Sequence, residues 1–174
     1  MPYPQWPMPY RPFTGQNCSI AGALGVIGER WTLLVLREVL LGRRRFREIQ
    51  RGTGAATNIL SDRLQTLVER GVVERVTPDD GGGSERVEYR PTQKGIELVP
   101  VLLALIEWGD KWECPADGPP RVAVHDRCGH DAHPYLVCSH CGERIEPGEI
   151  WMRPGPGADE EQKAEPRLPP VPAA

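Results

Sequence analysis

The chain has 174 residues, with 21 Lys/Arg against 24 Asp/Glu for a net charge of −3, and it is 39% apolar and 26% charged. That is room for one ordinary domain plus a small appendage, and it excludes a fully disordered chain. No window approaches the ~18–20 uninterrupted apolar residues of a spanning helix, so no membrane partner is expected.

The Pro/Tyr-rich first twenty residues carry one charge and do not read as a signal peptide, so the expected location is cytoplasmic. Residues 1–17 and 154–174 are proline-rich and lack apolar periodicity, and both are expected to be disordered. Between them, residues 18–113 carry long apolar-periodic stretches. Residues 114–153 hold four of the five cysteines and all four histidines. Residues 18–113 balance 14 basic against 14 acidic side chains, yet residues 37–75 alone hold nine arginines against five acids. DNA binding depends on such a local basic face and not on the whole-chain sum.

In chain order, Ile20, Leu24 and Ile27 mark one face of a short first helix that Gly28 ends. Trp31 to Leu41 predicts a strongly apolar core helix with Arg37 and Glu38 facing out, stopped at Gly42. Phe46 and Ile49 anchor a third helix that Gly52 and Gly54 close. Thr57 is the expected N-cap of a fourth helix running to about Arg70. Leu60, Leu64, Leu67 and Val68 form its buried stripe, and Asn58, Asp62, Gln65 and Thr66 lie roughly opposite. Residues 72–77 and 85–90 read as strands around a Gly-rich hairpin loop. Thr92 then caps a last helix, 93–113.

This order gives a fold that is mainly α with a small β-hairpin wing: helix, helix, helix, helix, hairpin, helix. The third and fourth helices make a helix-turn-helix, and the hairpin is the wing. Such a fold places the second of those helices in the major groove of double-stranded DNA. The candidate DNA contacts are Thr57, Asn58, Ser61, Arg63 and Gln65 on that helix and Arg43, Arg44 and Arg45 at the preceding turn. Asn and Gln can pair bidentately with adenine, and arginine with guanine or phosphate.

The runs CSIAGALGVIGERWTLLVLREVLLGRRRFREIQ, ATNILSDRLQTLVERGVVER and RVEYRPTQKGIELVPVLLALIEWGDKW resemble the HxlR-type winged helix-turn-helix transcriptional regulators. The resemblance covers residues 18–112. It implies a homodimeric transcription factor, often a repressor, that binds a DNA operator. One departure is the wing tip, where Asp79 and Asp80 are unfavourable beside phosphates. Arg86, Arg75 or Arg90 can supply wing contacts instead. In some regulators resembling this family, a cysteine at the position of Cys18 senses oxidants or electrophiles. A helix N-terminus there can lower a thiol pKa, but the residues themselves favour a small buried or inert thiol.

The last helix is apolar nearly all round, more than a small monomer can cover. A dimer interface is therefore expected at Val99, Leu103, Ile106 and Trp108, with a kink at Pro100.

Residues 125–142 read HDRCGHDAHPYLVCSHCG. His125-x2-Cys128 precedes Cys138-x2-Cys141 by nine residues, and each pair is followed by Gly. That spacing predicts a small zinc-ribbon-like β segment with a structural, tetrahedral Cys3His zinc, His133 being an alternative to His125. Forty residues build little core alone, so a metal staple meets a physical need. No nucleophile–base pair, phosphate loop or paired carboxylates emerge, so an enzyme is not expected. A second reading, from a different class, is a winged-helix and zinc-ribbon interaction module of the transcription machinery without operator specificity.

Overall fold

A computed structural model describes residues 17–77 and 87–165. Arg86, the wing tip, most of the N-terminal segment and the last nine residues fall outside the described residues. The chain divides into two units, residues 1–102 and 103–174.

In the first unit, α1 (Ser19–Ile27) and α2 (Arg30–Leu40) meet with a 73° bend. Helix α3 (Phe46–Thr53) and α4 (Thr57–Glu69) follow. Val35, Leu36 and Val39 of α2 pack with Ile49 of α3, with Leu60, Leu64 and Leu67 of α4, and with Val72 and Val73. The i, i+4, i+7 spacing on α4 aims its three leucines at α2. Each fully buried leucine contributes about 1.5–3 kcal/mol.

Glu38, expected to face out, is buried. Its carboxylate accepts two hydrogen bonds from Arg37, at 2.8 and 2.6 Å, and pairs with Arg43. A buried charge is tolerable only when paired and hydrogen-bonded in this way. Gly52 leaves it room, since a Cβ there would run into Glu38 Oε2.

Helix α4 starts one residue earlier than a Thr57 cap requires: Ala56 is the N-cap and makes no side-chain cap bond. The Thr57 hydroxyl instead accepts a 3.0 Å hydrogen bond from Gln50 Nε2, across the turn from α3.

Strands β1 (Val73–Val76) and β2 (Glu88–Pro91) are antiparallel, with Val73 opposite Pro91 and Val76 opposite Glu88. The arginine turn joins them: Arg45 bridges Glu88, and the Tyr89 N–H donates to Arg44 O at 2.8 Å. The turn before α3 is thus pinned to the edge of the two-stranded wing sheet by this one bridge and one hydrogen bond.

The single last helix expected from the sequence is two helices, α5 (Gln93–Ile96) and α6 (Val99–Trp112). Thr92 caps α5, its hydroxyl accepting from the Gly95 N–H at 3.3 Å. The break comes just before Pro100, which has no N–H for the preceding turn and whose ring would clash with it. At the second position of α6, Pro100 needs no such partner.

From residue 96 onward, none of the described residues is buried. The proline-rich tail, expected to be disordered, contains a short helix α7 (Glu160–Ala164) within its described part. Asp159 and Gln162 form a reciprocal capping box at its start, with bonds of 2.9 and 3.1 Å. Among the described residues, no single helix is long and apolar enough to cross a membrane.

Candidate functional site

Helix α4 presents Thr57, Asn58, Ser61, Asp62 and Gln65 to solvent, opposite its leucine stripe. This is a polar face of the kind that reads base edges. Three expected contact residues have intramolecular partners. Thr57 is bound by Gln50, and Gln65 Nε2 donates to Glu69 Oε1 at 2.8 Å. Arg63 pairs with Asp62 and lies 4.0 Å from Glu29. Asn58 and Ser61 are exposed near the N-terminal end of the helix, where a groove-inserted helix reaches bases.

The three arginines of the turn differ from one another. Arg43 is turned inward onto Glu38. Arg44 is half-buried, with its Nη1 shut from solvent. Arg45 is exposed at the N-cap of α3. Glu48 fixes this cap by accepting from the N–H groups of Arg45 and Arg44, at 3.0 and 3.1 Å. Those two backbone donors hold its carboxyl below the usual glutamate range.

A recess of about 500 Å³ between α3 and the wing is lined by Arg45, Arg47, Arg51 and Arg75, with Glu48 and Tyr89. Four arginines against one carboxylate around a recess suit a phosphate backbone. Sequence reasoning singled out Arg45 and Arg75 but missed Arg47 and Arg51. Their i, i+4 spacing on α3 is the signal that could have found them.

On α6, Ile106 and Trp108 are exposed, while Val99 and Leu103 are half-buried. Val101, Leu105 and Trp112 add to the exposed apolar surface of the helix.

In the second unit the expected metal donors stand as two pairs. His125 Nδ1 lies 3.1 Å from Cys128 Sγ. The thiol of Cys138 is held below its usual pKa by the backbone N–H groups of Cys141 and His140 and by the Cys141 side chain. The pairs do not form one cluster: among the described residues, no group of three or more His, Cys, Asp or Glu is placed to hold a metal ion. His133 Nδ1 lies 3.1 Å from Glu107 Oε2. Cys18 is half-buried at the N-cap of α1.

An uncharacterised HTH-type transcriptional regulator of Mycobacterium tuberculosis is 43% identical over 139 residues, spanning 80% of this chain and 87% of that protein. An uncharacterised HTH-type regulator of Synechocystis is 36% identical over 101 residues, covering 57% of this chain and 73% of its own length. Among solved structures, the transcription-factor candidate PA1607 superposes with a TM-score of 0.69 at 32% identity, covering 77% of this chain and 92% of that one. PA1374 of Pseudomonas aeruginosa, described in the same terms, gives 0.60 at 32% identity over 84% and 98%. The family profile of the HxlR-like helix-turn-helix matches residues 26–117. The mycobacterial alignment is longer than that match, so the similarity extends beyond the winged helix. With more than half of its length matched, the chain belongs to the HxlR-like helix-turn-helix family, and its relatives are transcription regulators and not enzymes.

Proposed function

We infer that this chain is a homodimeric repressor that reads a specific DNA operator. Helix α4 enters the major groove, Asn58 and Ser61 lead the base contacts, and Arg45, Arg47, Arg51 and Arg75 grip the adjacent backbone. The observation that carries this reading is the exposed polar face of α4 in a domain that also carries, between α3 and the wing, a recess lined by four arginines. Exposed Leu105, Ile106, Trp108 and Trp112 on α6 support the dimer, because isolated chains rarely leave so much apolar surface together. A dimer sets two recognition helices about one DNA turn, ~34 Å, apart. In this reading residues 121–150 are a zinc-ribbon-like appendage outside the DNA-reading face. Cys18, at the start of α1, is the residue through which oxidation would reach this domain. The solved structure of the redox regulator HypR is similar in fold, with a TM-score of 0.50 at 28% identity.

The test is footprinting of the full chain on its own genomic neighbourhood, with a salt series and light scattering. A protected two-fold site, affinity falling steeply with salt, and a dimeric mass are expected. A monomer in light scattering rejects the dimer. Binding without sequence preference rejects operator reading and leaves the interaction-module alternative.

A further inference from the structure

We propose that the chain binds one structural zinc ion through His125 Nδ1 and the thiolates of Cys128, Cys138 and Cys141. The proposal rests on the ribbon reading of residues 121–150 and is independent of the operator reading.

The two donor pairs lie in two copies of one backbone unit, offset by thirteen residues. Val124 bridges Asp131, and Val137 bridges Arg144. The His125 N–H donates to His130 O at 2.9 Å, and the Cys138 N–H donates to Glu143 O at 2.8 Å. The Ala132 N–H reaches Ala123 O at 2.8 Å, and the Ile145 N–H reaches Leu136 O at 2.9 Å. Gly129 and Gly142 donate back to His125 O and Cys138 O, each at 2.8 Å. These two glycines have φ of 70° and 75°, a turn geometry that side chains rarely adopt. The repeat makes His125 the counterpart of Cys138 and Cys128 the counterpart of Cys141.

This equivalence decides between the histidines that the spacing leaves open. His133 occupies the position that Glu146 holds in the second copy, beyond the knuckle, and it faces Glu107. His130 holds the position of Glu143 in the second copy, outside the donor pair. His125 Nδ1 faces its own cysteine across 3.1 Å, whereas two such donors on one tetrahedral zinc stand ~3.6 Å apart by ordinary bond lengths.

The second observation is the lack of a core. Val122, Val124, Tyr135, Leu136 and Val137 are all exposed, and no described residue of the segment is buried. Two tight hairpins without buried apolar surface do not hold together in water unaided. An ion drawing the two pairs together supplies the missing attachment, and its binding free energy becomes folding free energy. Binding releases the three thiol protons to solvent, and the filled tetrahedral shell leaves no position for a substrate.

The test is metal analysis of the full chain prepared without chelator, alongside cobalt titration of chelator-stripped protein. About one zinc per chain and cobalt–thiolate absorption bands are expected. Cys138→Ser and His125→Ala should lose the zinc, whereas His133→Ala should keep it. His125→Cys should also keep it, which guards against reading misfolding as ligand loss. A metal-free native protein without cobalt bands overturns the site. Zinc kept by His125→Ala and lost by His133→Ala overturns the ligand assignment. Because metal content is read without DNA, neither result depends on whether the operator reading holds.

Discussion

In residues 17–95, Leu36, Ile49, Leu60, Leu64 and Leu67 are shut from solvent around one centre, whereas from residue 96 onward every described residue has water beside it. Both regions have well-formed turns and hydrogen bonds. They differ in what holds the turns against each other. The winged helix excludes water from apolar side chains, a force proportional to area. The knuckles have almost no such area to bury, so their hydrogen bonds compete with water on nearly even terms. Local geometry alone therefore does not distinguish a region that folds by burial from one that needs a cross-link.

Truncation of one leucine in each region sharpens the comparison most. Leu67→Ala should destabilise the winged helix by about 2–5 kcal/mol, as cavity-forming changes do. Leu136→Ala, at a side chain 65% exposed, should change stability by less than ~0.5 kcal/mol. Denaturant unfolding followed by circular dichroism measures both, and equal effects would erase the distinction.

Within the first region, the arginines separate by partner. Arg43→Ala leaves buried Glu38 with one cation fewer and should cost about 1–3 kcal/mol of stability. The slope of DNA affinity against salt should barely change. Arg47→Ala with Arg51→Ala should leave stability nearly unchanged and lower that slope by about two units, near one per lost phosphate contact. Thermal unfolding and salt-titrated binding of both variants show whether these roles are exchanged.

The smallest effect concerns Glu48. Its folded pKa lies below the ordinary glutamate value, so its ionised form stabilises the cap of α3 at neutral pH. That contribution is present above the unfolded pKa and is lost as pH falls through the folded one. Glu48→Gln should therefore flatten the acid side of the stability profile, measured by unfolding between pH 6 and 2. An unchanged profile would remove Glu48 from the cap.

Much of this was legible in the sequence because it is local. The leucine spacing of α4, the glycines after α2 and α3, and the Val-rich wing strands each announce themselves within a few residues. Glu38 was misread because an acid beside Arg37 looks solvent-bound. Its burial depends on Arg43 folding back and on Gly52 lacking a side chain. The division of 93–113 into α5 and α6 was visible only as a kink at Pro100. Of the candidate site, the polar face of α4 and the knuckle spacing could be read directly. Arg47 and Arg51 show there only an i, i+4 spacing on α3, and the recess they line is completed by Arg75, more than twenty residues away in sequence. The choice between His125 and His133 was open because it depends on equivalent hydrogen bonds and not on spacing.

The pairing of the Arg44–Arg45 segment with β2 has a mechanical consequence. The strand that leaves the wing, β2, and the linker that enters α3 share a hydrogen bond, from Tyr89 to Arg44, and a bridge, from Arg45 to Glu88. The wing cannot swing without pulling the first helix of the helix-turn-helix along with it. In the operator-bound dimer proposed above, a releasing signal would therefore have little leverage in bending one part of the reader. The economical motion there would move the whole reading head as a rigid piece, changing the span between two copies and not the shape of either.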